Sequence, residues 1–226
     1  MITEADIALV APDGVTLEGR TGWPPGATGG IVLCHPHPLH GGDMDNPVVI
    51  RCREVCADLG LGTLRFNFRG VGRSTGSHGQ GISERLDVRA ALAHLRKALP
   101  DPQATALIGY SFGAAVATQV ALNGERLAGL GLIAPPLALE GFALSPDVGR
   151  LSSPLLVVAG TQDQYCPPAA LREISERFPT AQVRSVEGAN HFFFGKLFPL
   201  GEVVAAWARS VFGLHAGESG RGSGTG

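Results

Sequence analysis

The sequence predicts an α/β fold, a mostly parallel central sheet with helices on both faces. Three observations predict it. First, continuous apolar runs such as Ile31–Cys34, Leu127–Ala134 and Leu155–Gly160 alternate with segments of helical character. Such runs suit strands covered on both faces, and their alternation with helices builds a parallel sheet. Second, Gly109-Tyr110-Ser111-Phe112-Gly113 lies between an apolar run, Ala104–Ile108, and a helix-like run, Ala114–Leu122. Strand, Gly-x-Ser-x-Gly and helix together form a sharp turn that lifts a serine hydroxyl clear of the backbone. Third, Asp163 and His191 each follow a later strand-like run, and open α/β sheets place functional groups at the carboxyl ends of strands.

The elements follow in order. Ala5–Val10 and Val15–Arg20 are short β-type runs joined by Pro12-Asp13-Gly14, a turn signal, and predict an antiparallel hairpin at a sheet edge. Trp23–Gly30 is a loop rich in proline and glycine, and Ile31–Cys34 is a central strand. After the loop His35–Gly42, Asn46–Leu59 predicts a helix with Pro47 in its first turn and Gly60 past its end. Gly62–Phe68 is the next strand, followed by the glycine-rich loop Arg69–Ser74, read as part of the active-site floor. Ser83 is an N-cap candidate for a helix to about Leu99, with Val88, Leu92, Leu95 and Leu99 on one face. After the Ser111 unit come the strand Leu127–Ala134, ended by Pro135-Pro136, and the strand Leu155–Gly160. A helix Pro167–Phe178, a last strand Ala181–Val186 and a closing helix Leu197–Phe212 complete the pattern. Residues 1–213 are expected to form one domain, and 214–226 a Gly/Ser-rich flexible tail.

Composition narrows the function. A chain of 226 residues with 44% hydrophobic residues can bury a sizeable core. A net charge of -2 without a block of either sign gives no nucleic-acid surface and no polybasic membrane contact. No run is long enough to span a bilayer, and the N-terminus lacks a basic, then apolar, leader. The four cysteines, Cys34, Cys52, Cys56 and Cys166, include no Cys-x-x-Cys pair and are expected to be buried thiols in a reducing cytoplasm.

A serine hydroxyl needs an adjacent base, and the base an orienting acid. Ser111, Asp163 and His191 supply the three in that order along the chain. A second Gly-x-Ser-x-Gly, Gly72-Arg73-Ser74-Thr75-Gly76, acts as an internal control. No strand abuts it and no helix starts after it, so Ser74 is read as a loop residue.

The chain resembles the α/β-hydrolase superfamily over roughly residues 5 to 213, and within it small lid-poor serine carboxylesterases related to the dienelactone-hydrolase group. The blocks that carry the resemblance are Cys34-His35-Pro36-His37-Pro38, Gly41–Asn46, Phe66–Ser74, Gly109–Gly113, Gly160–Asp163 and Ala189–Phe193. Dienelactone hydrolases proper carry cysteine at the elbow; Ser111 here shifts the expectation to ordinary ester hydrolysis. The resemblance implies an oxyanion hole made by the Phe112 N–H and an N–H from the loop after Cys34. Pro36 and Pro38 have no N–H, so His37 is the expected second donor, with Leu39 in reserve.

The expected activity is hydrolysis of small carboxylic esters through an acyl-enzyme on Ser111, without cofactor or metal. Thioesters, lactones, amides and acyl transfer would use the same residues. The segment Pro135–Pro154 is too short for a large lid, which implies an open site for small esters. Leu39, Tyr110, Leu137, Leu139, Phe142, Leu144 and Tyr165 are candidates to line it. The partner is a small-molecule ester, and the chain is expected to act as a monomer or homodimer. Two readings compete. His35-x-His37-x-x-His40 has the histidine spacing of the metallo-β-lactamase signature and could hold zinc, although Leu39 replaces its aspartate. A non-catalytic binding protein on the same fold is the other, and it has no need to keep Ser111, Asp163 and His191 together.

Overall fold

A computed structural model describes residues 2–139 and 146–214 of the chain. Its strands are β1 (Glu4–Val10), β2 (Thr16–Gly22), β3 (Gly30–Cys34), β4 (Gly62–Phe66), β5 (Thr105–Tyr110), β6 (Gly129–Ile133), β7 (Leu155–Gly160) and β8 (Gln182–Val186). They form one eight-stranded sheet in the order β1-β2-β4-β3-β5-β6-β7-β8. β1 and β2 are an antiparallel pair at one edge, β2 runs antiparallel to β4, and every later pairing is parallel. The predicted parallel sheet and the predicted edge hairpin are both present.

The helices are α1 (Pro47–Asp58), α2 (Glu84–Lys97), α3 (Phe112–Leu122), α4 (Pro168–Arg177) and α5 (Leu197–Phe212). Successive strand residues point to opposite faces, and the core divides accordingly. On one face Val32, Leu64, Leu107, Leu130 and Val157 pack with Val88, Leu92 and Leu95 of α2, Val116 and Val120 of α3, and Leu171 and Ile174 of α4. On the other, Ile31, Leu33, Ile108, Ile133 and Val158 pack with Val48, Val49 and Cys52 of α1 and Leu200, Val204 and Trp207 of α5. Helices cover both faces of the central strands, so β3, β6 and β7 need no polar side and run continuously apolar.

Two local expectations are corrected, and the loop reading of Ser74 gains its partners. The strand read as Gly62–Phe68 stops at Phe66: one more N–H bonds to β2, and the next turns away to the loop after β3. Asn67 N–H donates to the Glu18 carbonyl at 2.8 Å and Phe68 N–H to His35 Nε2 at 3.0 Å. Ser83 makes no side-chain cap; Glu84 instead closes the preceding turn, its carboxylate accepting from Gly79 N–H (2.7 Å) and Gly81 N–H (2.9 Å). Ser74 is structural: its hydroxyl donates to the Asn67 carbonyl (2.7 Å) and accepts from Glu18 N–H (2.9 Å). By contrast Asn46 caps α1, accepting from Val48 N–H at 3.0 Å.

The four cysteines are free and buried. Burial pushes the Cys52 and Cys166 thiols up to about 12, so they are unreactive at neutral pH. Among the described residues no helix is long and apolar enough to cross a membrane. The tail from residue 215, and Phe142 and Leu144, lie outside the described residues.

Candidate active site

Ser111 sits between the end of β5 and the start of α3, at φ +53° and ψ −116°. A non-glycine residue there carries roughly 1–3 kcal/mol of backbone strain. Two features hold it. Ser111 N–H donates to the Ile133 carbonyl of β6 at 2.9 Å. The flanking glycines let backbones close in: a Cβ on Gly109 would lie 2.2 Å from the Gly113 carbonyl oxygen, and one on Gly113 would lie 2.5 Å from the Cys34 carbonyl oxygen. Both close approaches fail with any side chain, which explains the residue pattern from sterics alone.

Asp163 lies three residues past β7 and is buried. One carboxylate oxygen accepts from Tyr165 N–H (2.8 Å) and Cys166 N–H (3.0 Å). Both oxygens lie within 3.0 Å of His191 Nδ1. A carboxylate only accepts, so Nδ1 carries the proton and donates. His191 Nε2 is then free to accept the hydroxyl proton of Ser111, whose Oγ lies at 3.0 Å. Ser111, Asp163 and His191, separate in sequence, form one hydrogen-bonded line at the carboxyl ends of β5, β7 and β8.

The line borders a cavity of about 400 Å³. His37 and Phe112 line it, and their rings lie 4.9 Å apart. The N–H groups of Phe112 and His37 take part in none of the hydrogen bonds among the described residues. The Phe112 N–H is one of the free donors at the α3 N-terminus, the positive end of the helix dipole. Burial, and then the neighbouring His40 and His78, push the His37 imidazole below its usual range, which keeps it neutral at pH 7.

A profile of the alpha/beta hydrolase fold matches residues 39–150. The chain is 32% identical over 191 residues to an uncharacterised protein of Rickettsia prowazekii, covering 80% of this chain and 79% of that one. It is 35% identical to an alpha-beta serine hydrolase homologue from Coxiella burnetii, covering 91% of this chain and 98% of that one at a TM-score of 0.81. It is 30% identical to an α/β serine hydrolase without a lid from Xanthomonas campestris, covering 95% and 97% at a TM-score of 0.80. The chain belongs to the α/β-hydrolase family.

Within this hydrolase, Tyr110 and Tyr165 line the cavity as the sequence suggests, and so does Leu139. Leu39 does not: it is 70% exposed on the outside of a 3-10 turn, Pro38–His40. Nor does Leu137, which packs against the core on the α2–α4 face. The loop Arg69–Ser74 is also absent from the lining. Arg69 instead pairs with Asp87 and Asp13, and Arg73 with Glu18, so the loop braces the hairpin edge. The lining residues that sequence reasoning missed are chiefly His40, Asn46, Pro136 and Phe192. Of these only Phe192 had a usable signal, its place beside His191.

The three-histidine zinc reading meets a geometric obstacle. His35 is fully buried, its Nε2 accepts from Phe68 N–H and its Nδ1 lies 2.7 Å from the Pro36 carbonyl, so neither nitrogen is free to ligate. His37 Nδ1 accepts from Leu39 N–H at 3.2 Å. Among the described residues, no group of three or more His, Cys, Asp or Glu is arranged to hold a metal.

Proposed function

We propose that this hydrolase cleaves small carboxylic esters through an acyl-enzyme on Ser111. The observation that carries the reading is the 3.0 Å contact between Ser111 Oγ and His191 Nε2, with Asp163 behind the imidazole. In the first step Ser111 attacks the ester carbonyl as His191 Nε2 takes its proton. Asp163 holds the imidazole in the tautomer that can accept and stabilises the cation that forms. The Phe112 and His37 N–H groups receive the oxyanion, and His191 returns the proton to the leaving alcohol. Water, activated by the same histidine, then releases the acid.

The strained turn is consistent with this role, since strain at a nucleophile survives where the surrounding packing enforces it. The likeness to serine hydrolase homologues at 30% identity and above supports the reaction class. The test uses a fluorophosphonate probe and an ester panel of increasing acyl length, with thioesters, lactones and amides included. The probe is expected on Ser111 and turnover on short-chain esters. Ser111→Ala should abolish both while leaving the melting temperature within a few degrees; retained ester turnover in that variant would refute the assignment.

A further inference from the structure

The rings around His191 point to the kind of alcohol the substrate carries, provided the ester-hydrolase reading above is right. His191 must protonate the leaving oxygen, so that oxygen comes within hydrogen-bond distance of Nε2 when the ester C–O bond breaks. The atoms next to it therefore fall among the side chains that flank the imidazole. They include the rings of Tyr165, 4.8 Å from the imidazole centroid, and Phe192, 5.5 Å from it, with Tyr110 at 5.7 Å on the elbow side; all three line the cavity. The carbonyl oxygen turns the other way, toward the Phe112 and His37 N–H groups.

Phe192 is 51% exposed although it borders the nucleophile, and it is stacked at 5.5 Å and 25° on Phe194, which is 74% exposed. The core uses neither ring. Phe192 lines the cavity, and Phe194, outside the lining, backs its ring. Among the described residues, no Lys, Arg, Asp or Glu lines the cavity, which suits a neutral ester. Aromatic walls favour a ring over an aliphatic group of equal size, because edge and face contacts add to the burial of area. We infer that the leaving alcohol is a neutral arylalkyl alcohol, its ring held by Tyr165 and Phe192.

The test compares benzyl acetate with cyclohexylmethyl acetate, two esters of unactivated primary alcohols with rings of similar size. Wild-type kcat/KM should favour the benzyl ester roughly threefold to tenfold. Phe192→Leu and Tyr165→Leu should each bring that ratio toward one, whatever happens to the absolute rates. Phe198→Leu removes another exposed ring, 69% exposed and facing Arg51 outside the cavity, and should leave the ratio as it is. Fluorophosphonate labelling of Ser111 in each variant reports an assembled site. A wild-type ratio near one, a ratio that persists in both cavity variants, or an equal fall in the Phe198 variant overturns the inference while ester hydrolysis stands. No labelling and no turnover of any ester overturns the ester-hydrolase reading and this inference with it.

Discussion

Tyr110 shows how much one residue contributes beyond its place in a motif. It occupies a variable position of the Gly-x-Ser-x-Gly turn, and its ring borders the cavity. Its hydroxyl, however, is spent on the backbone: it donates to the His191 carbonyl at 3.0 Å. The residue before the nucleophile thus holds the loop that carries the base. Burial, and then the charge of Asp163, raise the phenol above its usual range, so it stays a donor at every working pH. Tyr110→Phe should cost about 1 kcal/mol of stability, the usual effect of a lost buried hydrogen bond. It should also lower kcat about fivefold with KM little changed, because what is lost is alignment of Nε2 with Ser111. Thermal melts and steady-state kinetics on one ester measure both, and an unchanged kcat would remove the positioning role. The sequence shows a tyrosine at a turn; its partner, 81 residues on, depends on where β8 delivers its loop.

At the scale of elements, the site depends on two loops zipped together. The loop after β7 carries Asp163 and the loop after β8 carries His191. Gln162 N–H donates to the Ala189 carbonyl at 2.9 Å, and Gly188 N–H to Thr161 Oγ1 at 2.9 Å. The loops can approach because β7 ends in Gly160, where a Cβ would lie 2.0 Å from the Ala189 carbonyl oxygen. Backbone cannot yield as a side-chain tip can. Gly160→Ala should therefore cost about 3 kcal/mol, at the upper end for overpacking, and slow fluorophosphonate labelling by separating Asp163 from His191. Gly124 supplies the contrast: at φ +85° with nothing near its Cβ position, Gly124→Ala should cost only about 1 kcal/mol and leave labelling unchanged. Equal labelling rates in the two variants would show that the close approach at Gly160 does not align the site. The elements themselves were legible. The bounds read for β7 and α5 match the structure residue for residue, since apolar runs bounded by glycine, proline or loop signals leave little choice. Asp163 and His191 were legible for the same reason, as polar residues just past strand ends. Leu39 and Leu137 were not, because which face of a loop turns to a cavity depends on the packing beneath it.

Across the whole molecule, His35 links the two loops that leave the middle of the sheet. It follows β3, accepts the Phe68 N–H beyond β4, and stacks edge-on against the Phe68 ring at 4.7 Å. The sequence offered it as a metal-ligand candidate; burial makes it a structural acceptor instead. Desolvation, opposed only in part by the Pro36 carbonyl, lowers its pKa to about 4, against about 6.5 in an unfolded chain. The unfolded state therefore binds a proton first as pH falls, and the native state must exclude it. The stability that the neutral ring contributes is complete above pH 6.5 and is lost as pH falls toward 4. That loss is on the order of 3 kcal/mol. His37 and His94, also lowered chiefly by burial, act in the same sense. Asp87, whose carboxyl burial raises above its ordinary value, acts in the opposite sense at the acid end. Urea unfolding at pH 7.5 and pH 4.5 should show the fall in the wild type. His35→Gln retains an acceptor for Phe68 N–H without titrating, so its stability should fall by less over the same interval. An identical fall in the two proteins would place the acid sensitivity elsewhere.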